Sequence, residues 1–166
     1  MMKSPLILSH KNQQSGFTLL EVLITLLILA IGLLGLAGLQ AIGLNQNLSA
    51  YHRSQATQAA YSIADRVRAN QAASANYRTA LMAPIAAAQK AACNTGAGCS
   101  AADMAENDLF EWNAALMNSL PNEVPAVDLG NITINGTIFT ITINWDDNRD
   151  GNVDGNDPNF QLSFQP

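Results

Sequence analysis

Histidine, proline and positive charge are scarce in this chain, and each scarcity excludes something. Neither of the two histidines, His10 and His52, has a nucleophile and an acid placed with it, so no catalytic constellation can be assembled and an enzyme is not expected. Lys and Arg total 8 against 13 Asp and Glu, a formal net charge of −5. That balance argues against a nucleic-acid surface driven by charge. No proline falls between residues 6 and 83, so nothing in that stretch forces a helix to stop.

What the chain does have is an apolar run, GFTLLEVLITLLILAIGLLGLAGLQ from Gly16 to Gln40, with one carboxylate, Glu21, near its start. About 20 such residues suffice to cross a hydrocarbon core as a helix. An ionised group within the span costs at least about 2.5–3.5 kcal/mol, so Glu21 needs a cationic partner. The residues before Phe17 include Lys3, His10 and Lys11 and no acid, which keeps that end cytoplasmic by the positive-inside tendency. An ordinary secretory signal is cleaved after its apolar part. Here the small residue Gly16 precedes the run, and cleavage there would leave the span on the mature protein.

Gly16, Phe17, Thr18, Leu19, Leu20 and Glu21 resemble the signal of type IV prepilins: a basic leader, Gly, then an aromatic-led apolar helix with Glu at its fifth position. The resemblance implies cleavage between Gly16 and Phe17 by a prepilin peptidase that also N-methylates Phe17. It further implies a filament in which Glu21 lies near the N-terminal amine of a neighbour. A helix N-terminus is already partly positive, which agrees with that placement. A plain membrane anchor is the duller reading, and it gives no reason for Glu at this spacing.

Leu44, Leu48, Tyr51, Gln55, Ala59, Ile63 and Val67 continue the run at steps of three and four, one face of an amphipathic helix. A single helix from Phe17 to about Asn70 would span about 80 Å. Gly32, Gly35, Gly38 and Gly43 lie within it; they read equally as close-packing positions and as the ordinary tolerance of glycine in membrane spans. The expected segments are a leader at 1–16, a membrane and assembly half at 17–43, an amphipathic half at 44–78, a variable region at 79–130 and a sheet at 131–166. Within the variable region, one short helix is expected at 85–92 and another at 103–120. The latter carries an apolar stripe of Leu109, Trp112, Leu116 and Leu120, with Asp103 and Glu106 at capping-box spacing. Beyond Asn131 the period becomes two, with Asn135-Gly136 as a type I′ turn and strands at Ile138–Trp145 and near Phe160–Phe164. The fold class is α+β: a long N-terminal helix packed on a small antiparallel β-meander, which also resembles the type IV pilin fold.

Cys93 and Cys99 flank the short spacer NTGAG. An oxidising exterior favours a disulfide between them; free thiols are the alternative, and a metal site is disfavoured because no further His or Cys stands nearby. DDNRDGNVDGND, Asp146 to Asp157, fits a twelve-position calcium loop with Asp146, Asn148, Asp150, Asn152, Asp154 and Asp157 as ligands and Gly151 at the turn. Two features depart from that formula, since position 12 is Asp rather than Glu and the flanks read as strands. A solvated hairpin connection explains the same composition.

GLLGLAGLQ at 32–40, AYHRSQA at 50–56, ADRVRAN at 64–70 and the Trp112 helix ending in LP resemble PilV-type minor pilins. The implied protein is a low-abundance, non-enzymatic pilus subunit concerned with assembly priming and adhesion or motility. It would cross the inner membrane once with its globular part in the periplasm, then enter an extracellular pilus. Its partners would be sister minor pilins, the major pilin and the prepilin peptidase. Rival readings are a pseudopilin of a type II secretion or DNA-uptake system and a membrane-tethered calcium-binding module.

Overall fold

In a computed structural model, residues 16–80, 83–122 and 129–166 are described; the leader positions before Gly16 lie outside these. The chain divides after Leu44 into two compact units, one up to Leu44 and one from Asn45 to Pro166. A single helix, α1 at Leu19–Ala69, contributes to both. It begins two residues later than Phe17 because Thr18 acts as the cap, its hydroxyl accepting the Glu21 N–H at 3.2 Å.

In the first unit every large apolar side chain is exposed, from Phe17 through Leu39 and Ile42 to Leu44. By length and composition α1 can cross a membrane. No other element of the described chain covers these side chains, so they are left for lipid or for other proteins.

In the second unit α1 buries Ala56, Ala60, Ile63, Ala64 and Val67. The expected stripe is right only at its C-terminal end, because Leu44, Leu48 and Tyr51 stay exposed. Alanines at 56, 60 and 64 form a flat strip that, with Ile63 and Val67, lets neighbouring elements approach, whereas Leu44, Leu48 and Tyr51 face outward.

Three short 3₁₀ turns follow, Gln71–Tyr77, Pro84–Ala86 and Ala91–Asn94. The last two stand in place of the single helix expected over 85–92. Between the last two the chain is extended, and Ala88 N–H and Lys90 N–H donate to the side chains of Glu106 and Asn107 at 3.2 and 2.9 Å. Those donors are thereby spent on α2 rather than on helical bonds.

Helix α2 occupies Ala101–Ser119. Its cap is Ser100, whose hydroxyl accepts the Asp103 N–H at 3.1 Å and donates to the Asp103 carboxylate at 2.6 Å. The cap therefore lies three residues before the expected Asp103, and Glu106 pairs with Lys90 at 2.6 Å. The expected stripe is buried in full, with Leu109, Trp112, Leu116 and Leu120 all in the core.

Strands β1 (Gly130–Asn135), β2 (Ile138–Asn144) and β3 (Asn159–Phe164) form an antiparallel sheet in the order β1-β2-β3. Asn135 pairs with Ile138, so the two turn residues are Gly136 and Thr137. Gly136 has φ of 61° and Thr137 is not in the left-handed region, which makes this a type II′ turn with glycine first rather than the expected type I′. Phe139, Ile141 and Ile143 of β2 join α1 and α2 in one core with Ile132, Trp145 and Phe164. The arrangement is α+β, a long N-terminal helix packed on a three-stranded antiparallel sheet. Gly130 is required where β1 passes the Trp112 ring, since a Cβ there would lie 2.4 Å from the ring's Cη2.

Candidate assembly site and acidic loop

Gly16, Phe17 and Thr18 precede the first helical turn, and Phe17 is 83% exposed. The expected scissile bond is therefore outside the helix, as a protease substrate must be. Glu21 sits in the first turn of α1, where the helix dipole favours a carboxylate. Among the described residues no cation pairs with it. One turn on, the Thr25 hydroxyl donates to the Glu21 carbonyl, which satisfies a polar side chain without engaging the carboxylate.

In the second unit a polar network ties α1 to α2. Arg66 donates to Asp108 at 2.8 Å and to Glu111 at 2.7 Å. Asp108 also accepts from the Tyr77 hydroxyl, and Asn107 donates to Glu111 at 2.9 Å. Asn70 closes the group, donating to the Ala101 carbonyl at 2.7 Å. Burial opposes the charge on Arg66, but its bonds to Glu111 and Asp108 outweigh this and hold its pKa above the ordinary arginine value. Burial, followed by the bond to Asp108, pushes the Tyr77 hydroxyl up. From sequence, Asp65, Arg66 and Arg68 read as a solvated face with local pairs. That holds for Arg68 with Asp65 at 2.8 Å, but Arg66 reaches another helix, and nothing in local spacing could have shown it.

The bond from Arg66 holds the Glu111 carboxyl below the usual glutamate range, and the bond from Lys90 does the same for Glu106. Groups with lowered folded pKa contribute stability above their unfolded value, about 4.3, and lose it as pH falls through the folded value. Urea unfolding is thus expected to give constant stability from about pH 7 to about pH 5 and a decline below pH 4, with a shallower decline in Glu111→Gln.

Cys93 and Cys99 are joined by a disulfide, as the oxidising-exterior argument expected. The acidic loop between β2 and β3 is organised by backbone donors. Asp146 is fully buried and accepts from Asp150 N–H at 3.2 Å and Gly151 N–H at 3.0 Å. Asp157 accepts from Asp147 and Asp154 N–H at 3.1 and 3.0 Å. Asp150 takes the Asn152 N–H and the Asn148 amide, at 2.9 and 3.1 Å, which holds its carboxyl below the usual range. Asp154 takes the Asn156 N–H at 2.7 Å. Among the described residues no three His, Cys, Asp or Glu side chains converge as a metal set. The loop also folds back on α1: Asp147, Asn148 and Arg149 line a cleft with Asn45, Leu48, Ser49 and His52, a contact invisible in sequence.

An exposed apolar helix with a first-turn glutamate, continued by a small α+β unit, defines a class, and comparison with known proteins agrees. Residues 11–37 match the prokaryotic N-terminal methylation motif. Residues 38–110 match the family described as Type IV pilin Tt1218, so that the two matches together run without a gap from 11 to 110. The chain thus carries the type IV pilin methylation motif and a type IV pilin family segment, which support a pilin subunit of a type IV pilus or a related system. Pilins are structural subunits; the motif implies processing by prepilin peptidase and assembly with other pilins, and with the apolar helix it fits membrane anchoring. Comparison with curated proteins and with solved structures gave no match.

Proposed function

We propose that this chain is a minor pilin of PilV type. It is cleaved between Gly16 and Phe17, methylated on Phe17, held in the inner membrane with residues 45–166 on the periplasmic side, and taken into a type IV pilus with sister minor pilins and the major pilin. There it acts in assembly priming and pilus-dependent adhesion or motility. The observation that carries this reading is Glu21, a carboxylate on an uncovered apolar helix with no cation beside it among the described residues. The stretches at 32–40 and 64–70 favour the PilV type over a pseudopilin of a secretion or DNA-uptake system.

Glu21→Ala and Glu21→Gln both remove the charge that a neighbour's N-terminal amine would neutralise in a medium of low dielectric. Both are expected to lower the amount of this chain in sheared pili by at least about tenfold, with unchanged amounts in the membrane. Normal incorporation of Glu21→Ala would contradict the assembly role. Recovery of the chain only from the cell envelope, never from sheared surface fibres, would favour the pseudopilin.

A calcium ion at Asp146, Asn148, Asp150, Asn152, Asp154 and Asp157 belongs to this proposal as an added element. What supports it is the acidity of the loop and the buried Asp146 carboxylate, although an ion would have to compete with the N–H donors now bonded there. Calorimetry of the detergent-solubilised chain at millimolar calcium checks it: a saturable heat lost in Asp146→Asn is expected, and no heat removes the ion from the account.

A further inference from the structure

The two edges of the sheet are not alike. On β1, the Ile132 carbonyl accepts the Thr79 N–H at 3.1 Å, and the Ile132 N–H donates to the Thr79 hydroxyl at 3.0 Å. At Ile132 that edge is held by the protein's own chain. The same bonds fix the phase of the ladder, since antiparallel partners alternate between bonded and non-bonded pairs. With Ile132 turned outward, Phe139, Ile141 and Ile143 of β2 bond Phe164, Leu162 and Phe160 of β3. The backbone N–H and C=O groups of Asn159, Gln161 and Ser163 therefore point away from the sheet, and no described residue lies against them with a backbone bond.

Strand β3, NFQLSF, has no charged residue, no internal proline and no bulge, which are the usual means of protecting an edge. On its helix-facing side Phe160 and Leu162 are only partly buried at the margin of the core. A further strand beside β3 would satisfy the free backbone groups and cover both side chains at once.

We propose that the free edge of β3 receives an extended segment of a different protein, uncharged along the pairing line and apolar at alternate residues. A second copy of this chain does not fit. Head-to-tail pairing would use β1, where Thr79 already takes both outward backbone groups of Ile132 at the middle of the strand. An antiparallel β3–β3 pair places a two-fold axis perpendicular to the sheet, which reverses every in-plane direction. The two α1 segments from Asn45 to Ala69 packed on those sheets would then run oppositely, so the Asn45 ends, to which each apolar run is covalently joined, would lie at opposite ends of the pair. A parallel self-pair turns the second sheet over, so Phe160 and Leu162 would meet its polar face and stay uncovered. This inference goes beyond the subunit role proposed above, because it names a mode of attachment and a class of partner.

The test uses the full chain in whole cells with a photo-crosslinking amino acid in place of Gln161, alone and combined with Ser163→Pro or Ser163→Lys. Proline at Ser163, a position edge strands tolerate, removes one outward N–H and leaves the β2–β3 backbone bonds intact, at the loss of the exposed 3.0 Å hydroxyl contact with Thr140. Ser163→Lys keeps the backbone and places a charge on the edge. A retained Cys93–Cys99 disulfide and unchanged protease resistance report that each variant is folded. The expected result is an adduct to one other protein, mapping to a single extended segment with apolar alternation, lowered about tenfold by Ser163→Pro, the equivalent of one lost hydrogen bond, and lowered also by Ser163→Lys through the charge set against the incoming strand. No adduct, an adduct to a second copy, or an adduct that both folded variants leave unchanged overturns the proposal. The crosslink is read whether or not the chain enters filaments, so its failure is separate from failure of the pilin reading.

Discussion

Trp112→Ala is expected to lower the unfolding free energy by about 3–5 kcal/mol, the range for removing a large buried aromatic. Trp112 is 3% exposed, its ring lies against the Gly130 backbone, and its indole N–H donates to the Ala59 carbonyl at 3.1 Å. One side chain thus joins α1, α2 and β1. Truncation would leave a cavity bounded by helix and sheet backbone, and neither can move inward without disturbing its own hydrogen bonds. Only two tryptophans occur in the chain, so fluorescence of the fully buried Trp145 reports unfolding of the variant in urea. The reverse change has a related cost: Gly130→Ala pushes a Cβ into the same ring and is expected to cost about 1–3 kcal/mol through overpacking. A loss below about 1 kcal/mol for Trp112→Ala would mean that the three elements are not held through this residue.

Asp108→Ala is expected to cost roughly 2–3 kcal/mol, below the usual range for breaking a buried pair. The discount follows from exposure, because Asp108 is 8% exposed at its side chain but Arg66 is 36% exposed and partly solvated. The loss removes the Asp108 acceptor of the Tyr77 hydroxyl, leaving it the Asn70 amide and a long bond to the Arg66 carbonyl, and removes one of two carboxylates from Arg66. Urea unfolding of Asp108→Ala, Arg66→Met and the double variant is the measurement. A coupling of about 1 kcal/mol or more is expected for residues in one network; strict additivity would show that Arg66 and Asp108 act independently.

Periodicity carried much of this architecture. The apolar run, the stripe of α2 and the alternation in β1, β2 and β3 are each repeated over several turns or residues, so a boundary error of two residues does not erase them. What sequence did not disclose depends on single contacts between distant residues. Ser100 rather than Asp103 caps α2, and Glu106 pairs with Lys90 on a different element. The 85–92 segment is extended in its middle because Glu106 and Asn107 take its donors. The α1 stripe shifts to alanines because close packing, not hydrophobicity alone, selects the buried face.

The site divides in the same way. Gly16, Phe17 and Glu21 stand out in the sequence because a carboxylate at that place in an apolar run has few physical explanations. Asp146 to Asp157 was ambiguous for a reason the structure makes plain, since Asp, Asn and Gly serve both as oxygen ligands and as turn formers. In this loop every one of Asp146, Asp150, Asp154 and Asp157 accepts at least one backbone N–H.

Mass spectrometry of the chain recovered from sheared pili tests the central claim most directly, that Glu21 on an uncovered apolar helix marks a processed filament subunit. The account predicts a mature N-terminus at Phe17 bearing one added methyl group. Recovery of the chain solely from membranes, with residues 1–16 still attached, would contradict it.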